Sequence, residues 1–323
     1  MVYQACGGDE EASVVRPHAR LRAEWLCPTI CVFNEDGSVD YEGNERVIDR
    51  VVSGGVDGVV LLGSNGEFFH LTEDERRQLI SCAASAISGR AKLIVGTGST
   101  SQDEAIVRTR RAHAGGADAA LVVGPYYFKM AQEQIEGYFD AVAASTDGAV
   151  MLYNFPAYTG NDVTPEIARA VVARHDNVVG YKDSVPDVAH TRGIIEAVTS
   201  IAPDFAVFSG FDENFAHNVL AGGAGSIGAL SNIVPEVCAA WVAAARGGDF
   251  EGLRAGQRVI DALMGIYDVA CPFMPAIRYA MNLCGLGISE ACRAPYVRLT
   301  KEQERAVEGI LRRAGIPGET AGR

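Results

Sequence analysis

The sequence predicts an α/β protein folded as a (β/α)8 TIM barrel with a C-terminal helical extension. Three observations carry that expectation. Short apolar, β-branched runs recur at roughly thirty-residue intervals, the size of one β-α-β unit. Several of these runs are apolar at every position, as strands covered on both faces must be. A longer helical stretch follows each run, and eight such alternations suit a closed barrel. A doubly wound open sheet shares the alternation and is the alternative on pattern alone.

Strands are expected at 26–32, 58–62, 93–96, 119–123, 150–153, 178–181, 206–208 and 226–230. Among the helices, "TEDERRQLISCAASAIS" opens on Thr72 as N-cap, with Glu75 three residues later completing a capping box. "TPEIARAVVARH" opens on Thr164, with Pro165 at the first helical position. After the eighth unit the pattern turns wholly helical, in "PEVCAAWVAAARGG", "DFEGLRAGQRVIDALMGIYDVA", "PFMPAIRYAMNLCG" and "TKEQERAVEGILRRAG". The expected division is a flexible tail over 1–22, the barrel over 23–246 and the helical extension over 247–323. The tail "MVYQACGGDEEASVVRPHAR" has three acids in a row and lacks the apolar core of a signal peptide.

The 323 residues are 48% hydrophobic and 21% charged, which suits a well-cored globular chain. Net charge is −13, a surface that repels phosphate backbones and argues against nucleic-acid binding. No stretch approaches the apolar length of a membrane span. The eight cysteines form no C-x-x-C pair, and Cys27 and Cys31 read as core thiols, so a reducing cytoplasm is expected.

The apolar run in "NVVGYKDSVPD" ends on a lysine. Side chains alternate along a strand, so Val178, Gly180 and Lys182 are expected on one face and Val179 and Tyr181 on the other. Lys182 would then point into the barrel at the C-terminal end of strand six, where barrel active sites lie. Burial favours a neutral amine, and a neutral amine is what Schiff-base formation with a ketone requires. The alternative is that Lys182 caps the strand and snorkels outward. Strand five ends on Tyr153 in "AVMLYNFPAYTG". A phenol beside Lys182 would serve as a proton shuttle for carbinolamine formation and dehydration; otherwise it is a wall residue. In "LLGSNGEFFHLTEDE", backbone amides with the Ser64 hydroxyl would hold a carboxylate, although such a loop is also common turn chemistry. Tyr126 and Tyr127 in "VVGPYYFK" otherwise pack on a helix or at a subunit contact.

"GAGSIG" (223–228) has the glycine spacing of a dinucleotide fingerprint but follows a helix and enters a strand, so no NAD role is expected. No Lys or Arg lies between Arg192 and Arg246, which disfavours a phosphorylated substrate or pyridoxal phosphate at strands seven and eight. The six histidines show no metal-ligand spacing, and His70 and His113 read as ordinary helical or loop residues. No metal or other cofactor is expected.

From about Trp25 to Leu286 the chain resembles the dihydrodipicolinate synthase/N-acetylneuraminate lyase superfamily of class I, pyruvate-handling aldolases. The resemblance rests on "CVFNEDGSVDYEG", "GSNGE", "GPYYFK", "YNFPAYTG", "GYKDS" and "GAGSIGALSN", in the family's order. It implies that Lys182 forms the Schiff base with pyruvate or a 2-keto acid and that Tyr153 shuttles protons. It implies that Ser64 links that tyrosine to proton exchange, and that the Ser64 and Asn65 amides bind the carboxylate. Gly210 and Ile227 would line the site. Tyr127 would reach into a neighbouring subunit, implying a homo-oligomer, a dimer or a tetramer.

Two departures bear on the substrate. The second middle position of "GSNGE" is Asn65 where the synthases carry a hydroxyl. Tyr158 stands where they carry an arginine for the carboxylate of aspartate semialdehyde. The resemblance therefore points to a lyase acting on a 2-keto-3-deoxy sugar acid, giving pyruvate and an aldehyde. The alternatives are dihydrodipicolinate synthase (4-hydroxy-tetrahydrodipicolinate synthase), 4-hydroxy-2-oxoglutarate aldolase, N-acetylneuraminate lyase and a non-catalytic pyruvate-binding sensor.

Overall fold

All eight expected runs contain a strand, and the strands pair in parallel in chain order. They are β1 (Glu24–Pro28), β2 (Gly58–Leu61), β3 (Lys92–Gly96), β4 (Ala119–Val123), β5 (Ala149–Asn154), β6 (Val178–Asp183), β7 (Ala206–Ser209) and β8 (Gly225–Ile227). β1 pairs with both β2 and β8, which closes the barrel and excludes the open sheet. The computed structural model describes residues 23–317; the tail expected over 1–22 lies outside the described residues.

Alternation along the strands builds two apolar layers. Leu26, Val60, Ile94, Leu121, Met151, Phe208 and Ile227 fill the barrel interior. Val122, Val150, Leu152, Tyr181 and Val207 pack outward with Phe139, Ile167, Val171 and Ile194 of the surrounding helices. Burying each such side chain contributes about 1.5–3 kcal/mol before chain entropy is counted. Helix Glu73–Ile87 carries the Thr72–Glu75 capping box, and helix Pro165–Arg174 starts on Thr164 with Pro165 in its first turn. Helices Pro235–Gly247, Phe250–Leu263, Met274–Leu283 and Lys301–Arg313 follow β8.

Two strands are shorter than the apolar pattern implied, because side chains capture their amides. Past Pro28, the Ile30 N–H donates to Asn232 Oδ1 (3.3 Å) and the Val32 N–H to Asn44 Oδ1 (3.2 Å). The run 29–32 is buried as loop, not as ladder. In the last unit the Leu230 N–H donates to Asp212 Oδ1 (3.1 Å), and Ala229–Asn232 turns into a 3-10 helix.

β6 departs from simple alternation. Val150 pairs with Val178 but Met151 with Gly180, so Val179 bulges out of the ladder. Val178 therefore joins Tyr181 in the outer layer, not Gly180 and Lys182 as alternation implied. Gly180 still faces the interior, where a Cβ would sit 3.0 Å from the Met151 methyl.

Candidate active site

Lys182 stands at the C-terminal end of β6, in register with Tyr153 of β5 and Phe208 of β7. It is 6% exposed, Tyr153 is 3% exposed, and Lys182 Nζ lies 4.4 Å from the centroid of the Tyr153 ring. The lysine thus points inward, and the snorkelling alternative does not hold.

The Tyr153 phenol oxygen accepts from Ser184 Oγ at 3.5 Å. Ser184 follows Lys182 by two residues in "GYKDS", and nothing in the sequence marks it. Gly210, at the end of β7, makes room for it. A Cβ at position 210 would fall 2.0 Å from Ser184 Oγ, so only glycine leaves that hydroxyl in place. Ile227 is buried in the same inner cluster as Tyr153 and Phe208.

The Gly63–Gly66 loop leaves β2 through Leu62 (φ 57°) and ends on Glu67 (φ 51°), both in the left-handed region. Gly96 of β3 permits that path, since a Cβ there would lie 2.1 Å from the Leu62 carbonyl oxygen. Ser64 and Tyr153 line one cavity with Gly63, Phe68, Val123 and Leu121. Asn65 is buried beside it in sequence. Within the loop, the Gly66 N–H donates to Gly63 O and the Glu67 N–H to Ser64 O, both at 3.1 Å. Among the described residues no hydrogen bond uses the Ser64 or Asn65 amide, so both remain able to meet a carboxylate.

The C-terminal extension clamps this loop. Arg278, on helix Met274–Leu283, pairs with Glu67, and both side chains are fully buried. The guanidinium also donates twice to the Cys31 carbonyl oxygen, at 3.1 and 3.0 Å. His70 Nδ1 lies 3.2 Å from the other Glu67 oxygen. Glu67 belongs to "GSNGE", yet nothing in the sequence indicated its partner 211 residues away.

A second network lies behind Lys182, buried at Asp183 and partly exposed at Asp162. Asp183 is fully buried and accepts from Asn154 Nδ2 (3.1 Å) and Thr191 Oγ1 (2.7 Å). His190 Nδ1 lies 2.9 Å from Asp183, and its Nε2 lies 3.5 Å from Asp162 Oδ1. These carboxylates, Asp162 first and then Asp183, push the imidazole up to about 10, so His190 is a cation at neutral pH. Asn154 also donates to Asp162 (2.9 Å). The network ties the ends of β5 and β6 together, directly after Tyr153 and Lys182.

Tyr158 and Tyr127 stand apart. Tyr158 is 66% exposed, and its ring stacks on Phe155 at 4.1 Å; Phe155 in turn lies 6.1 Å from Tyr153. Burial, then the neighbouring Cys271 and Tyr153, raise the Tyr158 phenol above its ordinary value, so it is a neutral hydrogen-bonding group. Tyr127 is 84% exposed with φ 87° and packs edge-on against Phe128. Among the described residues its ring pairs with Phe128 and with no aromatic residue of the site. Tyr126 packs edge-on against Phe68.

The model of the dihydrodipicolinate synthetase family matches residues 23–314. The chain is 35% identical to "Probable 2-dehydro-3-deoxy-D-pentonate aldolase YjhH" of Escherichia coli K12, over 90% of this chain and 96% of that protein. It superposes with a TM-score of 0.88 on the crystal structure of YagE, an E. coli K12 prophage protein of the dihydrodipicolinic acid synthase family in complex with pyruvate. That match is at 33% identity and covers 91% of this chain and 99% of that one. The 4-hydroxy-tetrahydrodipicolinate synthase of Kosmotoga olearia is 33% identical, over 86% of this chain and 94% of that protein. With a closed barrel, a buried lysine–tyrosine pair at its C-terminal end and a family match across nearly its whole length, the chain belongs to the dihydrodipicolinate synthetase family.

Proposed function

We propose that the protein is a class I aldolase that cleaves a 2-keto-3-deoxy sugar acid, of pentonate or gluconate type, into pyruvate and an aldehyde. The observation that carries this reading is the buried Lys182 amine against the Tyr153 ring, at the mouth-side end of the barrel. The names of the relatives support the substrate class. YjhH is named for the pentonate, and YagE is named provisionally as a 2-dehydro-3-deoxy-D-gluconate aldolase.

In this reading the Lys182 amine adds to the C2 ketone, giving a carbinolamine. The Tyr153 phenol donates a proton to the departing hydroxyl, water leaves, and an iminium remains. The C4 hydroxyl then gives its proton to the Tyr153 phenolate as the C3–C4 bond breaks. The bonding electrons move to the iminium nitrogen, leaving an enamine and releasing the aldehyde. Protonation at C3 and hydrolysis return pyruvate and the free lysine. The iminium is the electron sink, so the reaction requires no metal, NAD or pyridoxal phosphate. The Ser64 and Asn65 amides hold the carboxylate, and Ser64 connects Tyr153 to proton exchange. Gly210 and Ile227 shape the wall.

Tyr158 favours a neutral polyhydroxy aldehyde, because it offers hydrogen bonds without the charge that a second carboxylate would need. The exposed Tyr127 and Phe128 rings support a contact between copies, in a homo-oligomer (a dimer or a tetramer). A cytoplasmic location is supported by the free thiols of the described residues.

The test is pyruvate release across a panel of 2-keto-3-deoxy acids, run beside condensation of pyruvate with aspartate semialdehyde. Release from a pentonate or gluconate substrate is expected. Preference for the condensation would make the chain a 4-hydroxy-tetrahydrodipicolinate synthase, and trapping of pyruvate without turnover would make it a sensor.

A further inference from the structure

The segment 125–130 leaves β4 beside the candidate site, where the Gly124 N–H donates to the Tyr153 carbonyl oxygen at 3.1 Å. It carries three exposed side chains in a row, Tyr127, Phe128 and Lys129, and Tyr127 has φ 87°. A tyrosine persists at positive φ only where its surroundings over-determine the backbone.

One side chain from another loop does this. Asn161 is 4% exposed, and its Nδ2 donates to the Pro125 and Phe128 carbonyl oxygens, both at 2.9 Å. Its Oδ1 accepts from the Met130 N–H at 2.7 Å. Among the described residues, the backbone of 125–130 makes no other hydrogen bond. The three bonds bracket Tyr127 on both sides. Asn161 is itself held in place. Its N–H donates to Thr159 Oγ1 (3.2 Å), and that hydroxyl donates to the Asn161 carbonyl oxygen (2.8 Å). A primary amide carries paired donors and an acceptor on one short planar group, and this arrangement uses both kinds.

We propose that Asn161 is a positioning residue that holds the segment 125–130 in the shape presenting Tyr127 to the site of a second copy. The inference rests on the homo-oligomeric aldolase reading given above. Tyr127 and Phe128 are 84% and 72% exposed, with their rings edge-on at 4.9 Å, an aromatic pair of the kind that subunit contacts cover. The clamp also joins this contact to the chain's own site. Asn161 lies three residues after Tyr158 and directly before Asp162, which accepts from Asn154 Nδ2, next to Tyr153. Without the amide, the Pro125 and Phe128 carbonyls and the Met130 N–H lose their partners, and Tyr127 is free to leave its left-handed conformation.

The test compares wild type, Asn161→Ala and Asn177→Ala in the full-length protein. Asn177 is a matched control, since its Nδ2 donates to three carbonyl oxygens, of Ala143, Thr146 and Gly148, ahead of β6. Trypsin should cleave native Asn161→Ala after Lys129 at least about tenfold faster than either other protein, the scale of one lost hydrogen bond. Sedimentation should show the subunits of Asn161→Ala separating at about tenfold higher concentration, and its pyruvate release per chain should fall on dilution through that range. Over the same range the wild type and Asn177→Ala should hold a constant specific activity. Borohydride trapping of pyruvate on Lys182 should survive in all three. Unchanged cleavage after Lys129 in Asn161→Ala would overturn the clamp. Faster cleavage with unchanged association and activity, or the same changes in Asn177→Ala, would overturn its positioning role. A wild type that traps no pyruvate would instead sink the aldolase reading, and cleavage and sedimentation would still judge Asn161.

Discussion

Tyr153 and Lys182 are register partners across β5 and β6, and the lysine Nζ sits 4.4 Å from the centre of the tyrosine ring. An amine and a phenol held this way by two buried strands are placed by backbone hydrogen bonds, not by flexible loops. That placement is what a proton shuttle beside a Schiff-base nitrogen requires.

Borohydride added with pyruvate should inactivate the protein irreversibly. Peptide mass spectrometry should locate one reduced pyruvate-derived group on Lys182. Lys92 is ion-paired to Glu24 at the opposite end of the barrel, and Lys301 to Glu304 on the surface, so neither is placed for this chemistry. An adduct on either, or on Lys129, would refute the assignment.

Tyr153→Phe should reduce kcat by roughly 10²–10⁴, the usual contribution of general acid–base catalysis. Trapping at Lys182 should persist at a lower rate. A variant that turns over like the wild type removes Tyr153 from the mechanism.

Tyr158→Arg should shift selectivity between aldehydes. A charged hydrogen bond contributes about 1.5–3 kcal/mol, equivalent to about a tenfold to hundredfold change in kcat/KM. The wild type should use aspartate semialdehyde less efficiently than a polyhydroxy aldehyde by that factor, and the variant should narrow the gap. Pyruvate trapping should not change. A wild type that already prefers the semialdehyde would contradict the role given to Tyr158.

Arg278→Met should destabilise the protein by about 3–5 kcal/mol in chemical denaturation, since it leaves Glu67 buried without its partner. The double variant Glu67→Met/Arg278→Met should recover most of that loss. If the double variant is no more stable than the single one, the buried pair is not the source of the effect.

His190 gives a pH signature. Its folded value, about 10, lies above the ordinary imidazole value of 6.5. Its stabilisation is therefore complete below about pH 6.5 and is lost as pH rises through about 10. Denaturation of wild type and His190→Asn between pH 6 and 10.5 should show a stability gap that shrinks with rising pH. A gap that is constant or grows would mean that the imidazole is neutral in the folded protein.

The sequence by itself determined eight parallel β-α units, because apolar runs with helices between them bury both strand faces that way; closure into a barrel rather than an open sheet was decided by the pairing of β1 with β8. It determined the helix starts at Thr72 and Thr164, where capping is a local matter of three or four residues. It raised Lys182 as a candidate, since a lysine ending an apolar strand points either inward or outward, and the tertiary structure chose inward.

The tertiary structure decided what depends on distant partners. It placed a bulge at Val179 that moved Val178 to the outer layer, a slip that a period-of-two pattern cannot register. It ended β8 at Ile227 because the Asp212 carboxylate takes the Leu230 amide. It brought Arg278 to Glu67 and aligned Asp162, Asp183 and His190 behind Lys182. Such buried polar pairs carry no periodic signal. Their residues are close only after the chain has closed on itself, and low-dielectric burial is what gives each pairing its strength.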